Sequence, residues 1–228
     1  MFLFFRKNHI YYFMKSKVLL IALATTVFAL GAKAQNTTFG VRAGINFQNL
    51  TGNDAAGHKL DNKLKTGINL GLNAEIPIAP DFYVQPGLLF TTKGAKDKTY
   101  RKVNTRLSYL EIPINLLFKP ELGDGKLLLG FGPYIGIAVG GSYTDAAGNK
   151  TDFKFANKVT VSEASGNYYA RRTDFGGNLL AGYELSSKLS FQLNAQLGMS
   201  SIATKVEGFT RPKYKNTGFG VSVGYRFK

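Results

Sequence analysis

The segment that closes the chain constrains it most. Phe219, Val221, Val223, Tyr225 and Phe227 alternate without a break with Gly218, Gly220, Ser222, Gly224 and Arg226. A two-residue repeat is that of a β-strand; a helix repeats every 3.6 residues and would scatter these side chains around its axis. The same alternation sets Leu189, Phe191, Leu193, Ala195, Leu197 and Met199 against Ser190, Gln192, Asn194, Gln196, Gly198 and Ser200. Near the start it sets Phe39, Val41, Ala43, Ile45 and Phe47 against Gly40, Arg42, Gly44 and Asn46. The pattern predicts eight strands, over 38–48, 66–78, 82–93, 105–119, 126–143, 172–185, 188–202 and 215–227. Most reach the roughly 9–11 residues that a tilted strand needs to cross a bilayer, where ordinary strands average about 5–6.

The connections alternate in length. Those at 49–65, 94–104, 144–171 and 203–214 are long; those at 79–81, 120–125 and 186–187 are short. Transmembrane barrels have short turns on the periplasmic side and long loops outside. With the N-terminus in the periplasm, every long connection falls outside, and an even strand count returns the C-terminus to the periplasm. Strand length, loop length and parity therefore converge on one architecture: an all-β, eight-stranded antiparallel up-and-down transmembrane β-barrel.

Alternation does not say which face meets lipid, because a soluble ligand-binding barrel alternates too, with its apolar face inward. The polar faces hold mainly Gly, Ser, Asn and Gln, whereas a surface in water is rich in charge. Small polar residues suit the packed lumen of a narrow barrel. Aromatics cluster near the strand ends, at Phe39, Phe47, Phe82, Phe90, Phe118, Tyr143, Phe175, Tyr183, Tyr225 and Phe227, as interfacial girdles require. The expected surroundings of the apolar face are outer-membrane lipid, and the soluble periplasmic barrel is the alternative.

Residues 14–34 have the three parts of a secretory signal: Lys15 and Lys17, an apolar run over 18–30, and Ala32-Lys33-Ala34 as a cleavage site. The expectation is a leader over 1–34, translation starting at Met14, cleavage after Ala34, and a barrel domain over 35–228. The chain has 228 residues and no cysteine, which excludes a disulfide scaffold, a thiolate metal site and a cysteine nucleophile. Of the formal net charge of +15, five positive charges lie in the leader with no acid against them, which leaves about +10 for the rest. These basic residues are scattered through connections rather than massed in a block, so no nucleic-acid partner is expected.

The polar faces carry few charges. Arg42, Glu75, Glu111, Asp174, Glu184 and Arg226 share the lumen pattern and are expected to form a hydrogen-bonded ion network, since a lone buried charge is costly. Its expected role is to fill and hold the barrel; a gate or proton path is the alternative. Tyr168, Tyr169, Arg171 and Arg172 make an aromatic and basic group at the end of the longest connection. They are candidates for contact with lipopolysaccharide or an envelope protein, or form the interfacial collar of the sixth strand, a depth that aromatics and cations both favour. Catalysis has little to draw on. His58, with Asp54 or Asp61, is the one base-and-orienter set after the leader, and no serine stands in a G-x-S-x-G context. Asp145, Asn149 and Asp152 do not follow the order of a Ca²⁺ loop and read more simply as turn residues. No cofactor, metal or enzymatic activity is expected.

An ordered set of segments resembles the PorT-type outer-membrane β-barrel proteins of the Bacteroidetes. It runs from Gly40-Val41-Arg42-Ala43-Gly44-Ile45-Asn46-Phe47 through Gln85-Pro86-Gly87-Leu88-Leu89-Phe90 and Lys93-Gly94-Ala95. Tyr109-Leu110-Glu111-Ile112-Pro113, Gly132-Pro133-Tyr134 and Asp174-Phe175-Gly176 follow, then Ala181-Gly182-Tyr183-Glu184-Leu185 and Gly224-Tyr225-Arg226-Phe227. The resemblance implies an integral outer-membrane barrel of a Gram-negative bacterium, in a family whose founding type is associated with gliding and protein secretion. One departure is the final Lys228, which leaves Phe227 as the aromatic that barrel-assembly machinery would read. The leading expectation is a non-enzymatic barrel with a structural or interaction role in the envelope, and a narrow channel is its rival.

Overall fold

The structure, a computed structural model, describes residues 36–98 and 102–227. The leader and its cleavage site lie outside the described residues. Eight long strands form the body: β1 Thr38–Asn53, β2 Lys65–Ala79, β3 Phe82–Asp97, β4 Asn104–Phe118, β5 Gly125–Thr144, β6 Thr173–Glu184, β7 Leu189–Gly198 and β8 Lys213–Arg226. Each pairs antiparallel with its neighbour in sequence, and β8 returns to β1 through a register that runs from Gly40 opposite Arg226 to Asn53 opposite Lys213. The sheet is a closed up-and-down barrel. Closure pairs the edges that an open sheet would leave bare, and in lipid no bare edge is tolerated.

Three tight turns close one rim. Asp81, Gly123 and Lys188 take left-handed backbone there, with φ of 62°, 61° and 67°. The other rim carries the long connections. The alternation resolves as polar inward and apolar outward. Asn46, Gln85, Asn115, Gln192 and Ser222 are buried, while Ile68, Leu72, Phe131, Leu193 and Val221 are exposed around the outside. Aromatics bound this apolar band. At the turn side Phe82 packs on Phe118 with ring centroids 4.8 Å apart, and Tyr225 on Phe227 at 5.4 Å. Toward the loops Phe47 meets Phe219 at 5.4 Å.

The strands outrun the membrane. β5 has 20 residues, about twice what a tilted crossing needs. β1 continues to Asn53 and β3 to Asp97, past the expected ends at 48 and 93, while β7 stops at Gly198 short of 202. The alternation hides these extensions because the solvent changes. Above the band the barrel stands in water, and its inward face turns apolar: Leu50, Ala95, Leu107, Ala138, Ala170 and Ile202 form one buried cluster. A β-bulge lies where Ser108 and Tyr109 meet Gly140 and Ala138. A one-residue slip reverses the facing of the rest of a strand. Tyr143 therefore lines the loop-side mouth rather than the outer girdle.

Gly94 sits where only glycine fits. Its φ is +139°, and a Cβ there would lie 2.0 Å from the carbonyl oxygen of Thr105. Gly94 follows directly on the buried Lys93 and precedes Ala95, which is buried in the mouth cluster.

Candidate functional site: the lumen and the external mouth

The lumen is filled in layers. At the turn side Lys119 Nζ lies 2.9 Å from Glu75 Oε2 and 2.8 Å from Glu184 Oε2, and Arg226 pairs with the other Glu75 oxygen. Gln85 Nε2 donates to Glu75 at 3.3 Å. Next along the axis Leu117, Leu128 and Leu180 pack together against Tyr83. A polar layer follows, in which Arg42 donates to Asn194 Oδ1 at 3.1 Å beside Asn46, Asn69 and Asn115. It encloses about 30 Å³, room for a water or two.

Toward the loops Lys93 Nζ lies 2.6 Å from Glu111 and 3.1 Å from Asp174, all three side chains being fully buried. Asp174 also accepts from the Tyr134 hydroxyl at 3.1 Å and from Asn216 Nδ2 at 2.9 Å, and Glu111 accepts from Gln196 Nε2 at 2.9 Å. The Lys93 ammonium stands 4.2 Å from the Tyr134 ring centre. A cation between two carboxylates, each with further donors, meets the condition under which buried charge is tolerated.

The structure thus divides the six charges expected to meet in the lumen. Glu75, Glu184 and Arg226 gather at one level and Glu111 and Asp174 at another, whereas Arg42 makes no ion pair among the described residues and bonds to an amide instead. The cations that organise both levels, Lys93 and Lys119, are absent from the expected set. Both stand at the ends of the expected strands. Two-residue steps from Gln85 and from Glu111 place them on the lumen face, and that parity is the signal that finds them.

At the loop side the mouth is filled. The longest connection continues β5 into a hairpin strand, Lys150–Phe155, and later lays Tyr168–Ala170 parallel to it. Lys158–Val159 pairs with Lys205–Val206 of the last loop, supported by Lys158 and Glu207 2.5 Å apart. Between them a one-turn helix, Val161–Ala164, starts on a capping box of Thr160 and Glu163. Phe153, Phe155, Ala170 and Ile202 are thereby laid over the inward faces of Leu50 and Leu107.

A cavity of about 330 Å³ remains among these loops, lined mainly by Leu50, Leu107, Tyr143, Tyr168, Tyr169 and Tyr214. Tyr143 and Tyr168 stack with centroids 4.3 Å apart. An apolar pocket of this size with a few hydroxyls and amides is the usual form of a small-ligand site. Of the four candidates at the end of the longest connection, Tyr168 and Tyr169 line this pocket. Arg171 ties the loops together, donating to Asn157 Oδ1 at 3.0 Å and to the Ser201 carbonyl at 3.4 Å. Arg172 lies over the Phe155 ring at 5.3 Å. They do not form a lipid-facing collar on β6, because the chain folds them over the mouth before β6 begins.

The remaining candidates stay apart. His58 and Asp54 meet at 3.3 Å on an exposed turn, where the His58 backbone N–H holds the Asp54 carboxyl below the usual carboxylate range. Asp61 pairs with Lys98 at 2.7 Å instead. Asp145 accepts from the backbone N–H groups of Gly148 and Asn149, each at 2.8 Å, and so closes a turn.

A family model described as Outer membrane protein beta-barrel domain matches residues 20–227. Among solved structures, Ail, the attachment invasion locus protein of Yersinia pestis, in complex with the heparin analogue sucrose octasulfate, is 15% identical with a TM-score of 0.42, over 84% of this chain and 99% of that one. Neisserial surface protein A is 12% identical with a TM-score of 0.44, over 83% of this chain and 97% of that one. No curated protein matches the sequence. With the apolar strand face outward, the polar strand face inward and a family model spanning nearly its whole length, the chain belongs to the outer membrane protein beta-barrel domain family.

Proposed function

We propose that the protein is a non-enzymatic outer-membrane barrel that conducts no solute and offers its folded external loops for interaction within the cell envelope. The observation that carries this reading is the filling of the lumen at every level: two ion clusters, an apolar layer between them and an apolar plug of loop residues at the mouth. An eight-stranded barrel has little space beyond its own side chains. At the loop side the tyrosine-lined pocket stays open, where an apolar group of an envelope protein or a glycolipid finds rings to stack on. Phe227 lies at the turn-side collar, exposed to lipid, where barrel-assembly machinery has access to it.

The test is electrical. Purified protein that migrates faster on a gel when left unboiled is refolded into a planar bilayer. The expected conductance is at or near zero; steady openings in every active membrane support a channel instead. The PorT-type resemblance narrows the interaction to an assembly that serves secretion or gliding. Loss of secreted protein on deletion of the gene, restored by the intact gene, is the expected result. Unchanged secretion and motility exclude that narrower role and leave the closed barrel standing.

A further inference from the structure

The surplus charge of the chain lies at one end of the barrel. Residues 53–65, 95–98, 102–106, 144–173 and 199–215, which form the loop-side rim and the loops, hold sixteen Lys and Arg against seven Asp and Glu. The other described residues hold six Lys and Arg against seven Asp and Glu. Among the described residues, lumen and turn-side rim together thus carry no positive excess, and the surplus of about +9 lies with the loops.

Part of that excess is on the side wall rather than on top. The two-residue strand Asn62–Lys63 runs along β3 with Lys63 directly opposite Lys96. Across β3, Lys96 is opposite Asn104 and Gly94 is opposite Arg106. Lys65 reaches the same face, its Nζ donating to Asn104 Oδ1 at 2.7 Å. Cross-strand partners share a face, and Ala95 and Leu107 beside them belong to the buried cluster of the mouth. Lys63, Lys96 and Arg106 therefore point away from the barrel, and Lys65, whose backbone is opposite Gln48, carries its ammonium across to them at Asn104. On the same strands, nearer the membrane, Ile68, Leu70, Phe90 and Leu110 are exposed as part of the apolar band. Like charges placed directly opposite destabilise a sheet. Among the described residues none of Lys63, Lys96 and Arg106 has an ion pair with a carboxylate of the chain, and the nearby Asp61 is taken by Lys98 at 2.7 Å.

We propose that Lys63, Lys65, Lys96 and Arg106 form a binding site for the phosphate of a phosphorylated lipid in the outer leaflet. The site deepens the reading of the protein as an outer-membrane barrel and rests on it. Its depth selects the ligand. Cations immediately above an apolar band stand at the headgroup level, where a lipid phosphate is held by its own acyl chains against Ile68 and Leu70. A soluble polyanion would meet the loop tips first. Arginine supplies a planar fork for two phosphate oxygens, and the lysines supply compact charges around it.

The test uses the full barrel in phosphatidylcholine nanodiscs doped either with bisphosphorylated lipid A or with the same lipid chemically dephosphorylated, and counts retained lipid by native mass spectrometry. The expected preference for the phosphorylated form is on the order of tenfold or more, given the attraction of each surface cation for anionic headgroups. The combined changes Lys65→Gln, Lys96→Gln and Arg106→Gln are expected to remove most of that preference. The combined changes Lys150→Gln, Lys154→Gln and Lys158→Gln, in the longest loop, are expected to leave it intact. Undiminished preference in the rim variant overturns the site, as does a loss confined to the loop variant. If the rim variant loses heat-modifiability, the single change Arg106→Gln, at an exposed side chain, carries the same comparison. A wild-type protein that is not heat-modifiable overturns the membrane barrel itself, a distinct result from a folded barrel without lipid preference.

Discussion

Replacing Lys93 with methionine is expected to lower the stability of the barrel by about 3–5 kcal/mol, the usual effect of removing one partner from a fully buried ionic cluster. Methionine fills much of the same volume, so the loss is electrostatic. Glu111 and Asp174 would remain with no exposed side-chain surface and no cation within reach of their ion pairs. Removing their charges as well, as Lys93→Met with Glu111→Gln and Asp174→Asn, is expected to recover most of the loss. Amides still accept from Gln196, Tyr134 and Asn216 at those positions, and no uncompensated charge is left in the lumen. The measurement is the urea midpoint of the folded fraction in detergent micelles, read from mobility on unboiled gels. An unchanged midpoint for Lys93→Met would mean that water reaches Glu111 and Asp174 and solvates them, and the packed-lumen account would fall.

The second large effect concerns the outer face. Leu193 lies mid-strand in β7 and is 63% exposed. In a barrel surrounded by water, Leu193→Arg would change stability by less than about 0.5 kcal/mol, as most surface changes do. Surrounded by lipid, an arginine at mid-depth costs roughly 2–4 kcal/mol, falling to about 0–1 near the interface. The expected result in phosphatidylcholine vesicles is a strong loss for Leu193→Arg and a slight one for Leu122→Arg, at the turn-side rim. Equal, small effects at both positions would mean that the apolar face does not meet hydrocarbon.

Much of this architecture is legible in the residues themselves. Alternation over 215–227 and 188–200 gives the strand and its two faces at once, because a period of two has only one backbone that fits it. The alternating short and long connections give the strand order, since consecutive strands joined by tight turns must pair antiparallel. The site was less legible. Six lumen charges were visible because they interrupt polar faces within strands, yet Lys93 and Lys119, which hold them, stand at strand ends where a lysine ordinarily looks solvated. Arg42 has the right parity but, among the described residues, no carboxylate ion pair, and bonds Asn194 across the lumen. Parity fixes a face without fixing height along the axis, and an ion pair needs both.

The residues alone determined the eight strands and their antiparallel order, through local periodicity and chain connectivity, and the outward apolar face, through the small, nearly uncharged side chains of the opposite face. Tertiary structure alone decided the rest. It folded the longest loop across the mouth so that Tyr168 and Tyr169 line a pocket, and it turned Tyr143 inward through a bulge. It also brought Lys65 of β2 to Asn104 of β4, across β3 and on the outer wall. These depend on the closure of the barrel and on where lipid gives way to water. Both are properties of the assembled sheet, and no single segment carries them.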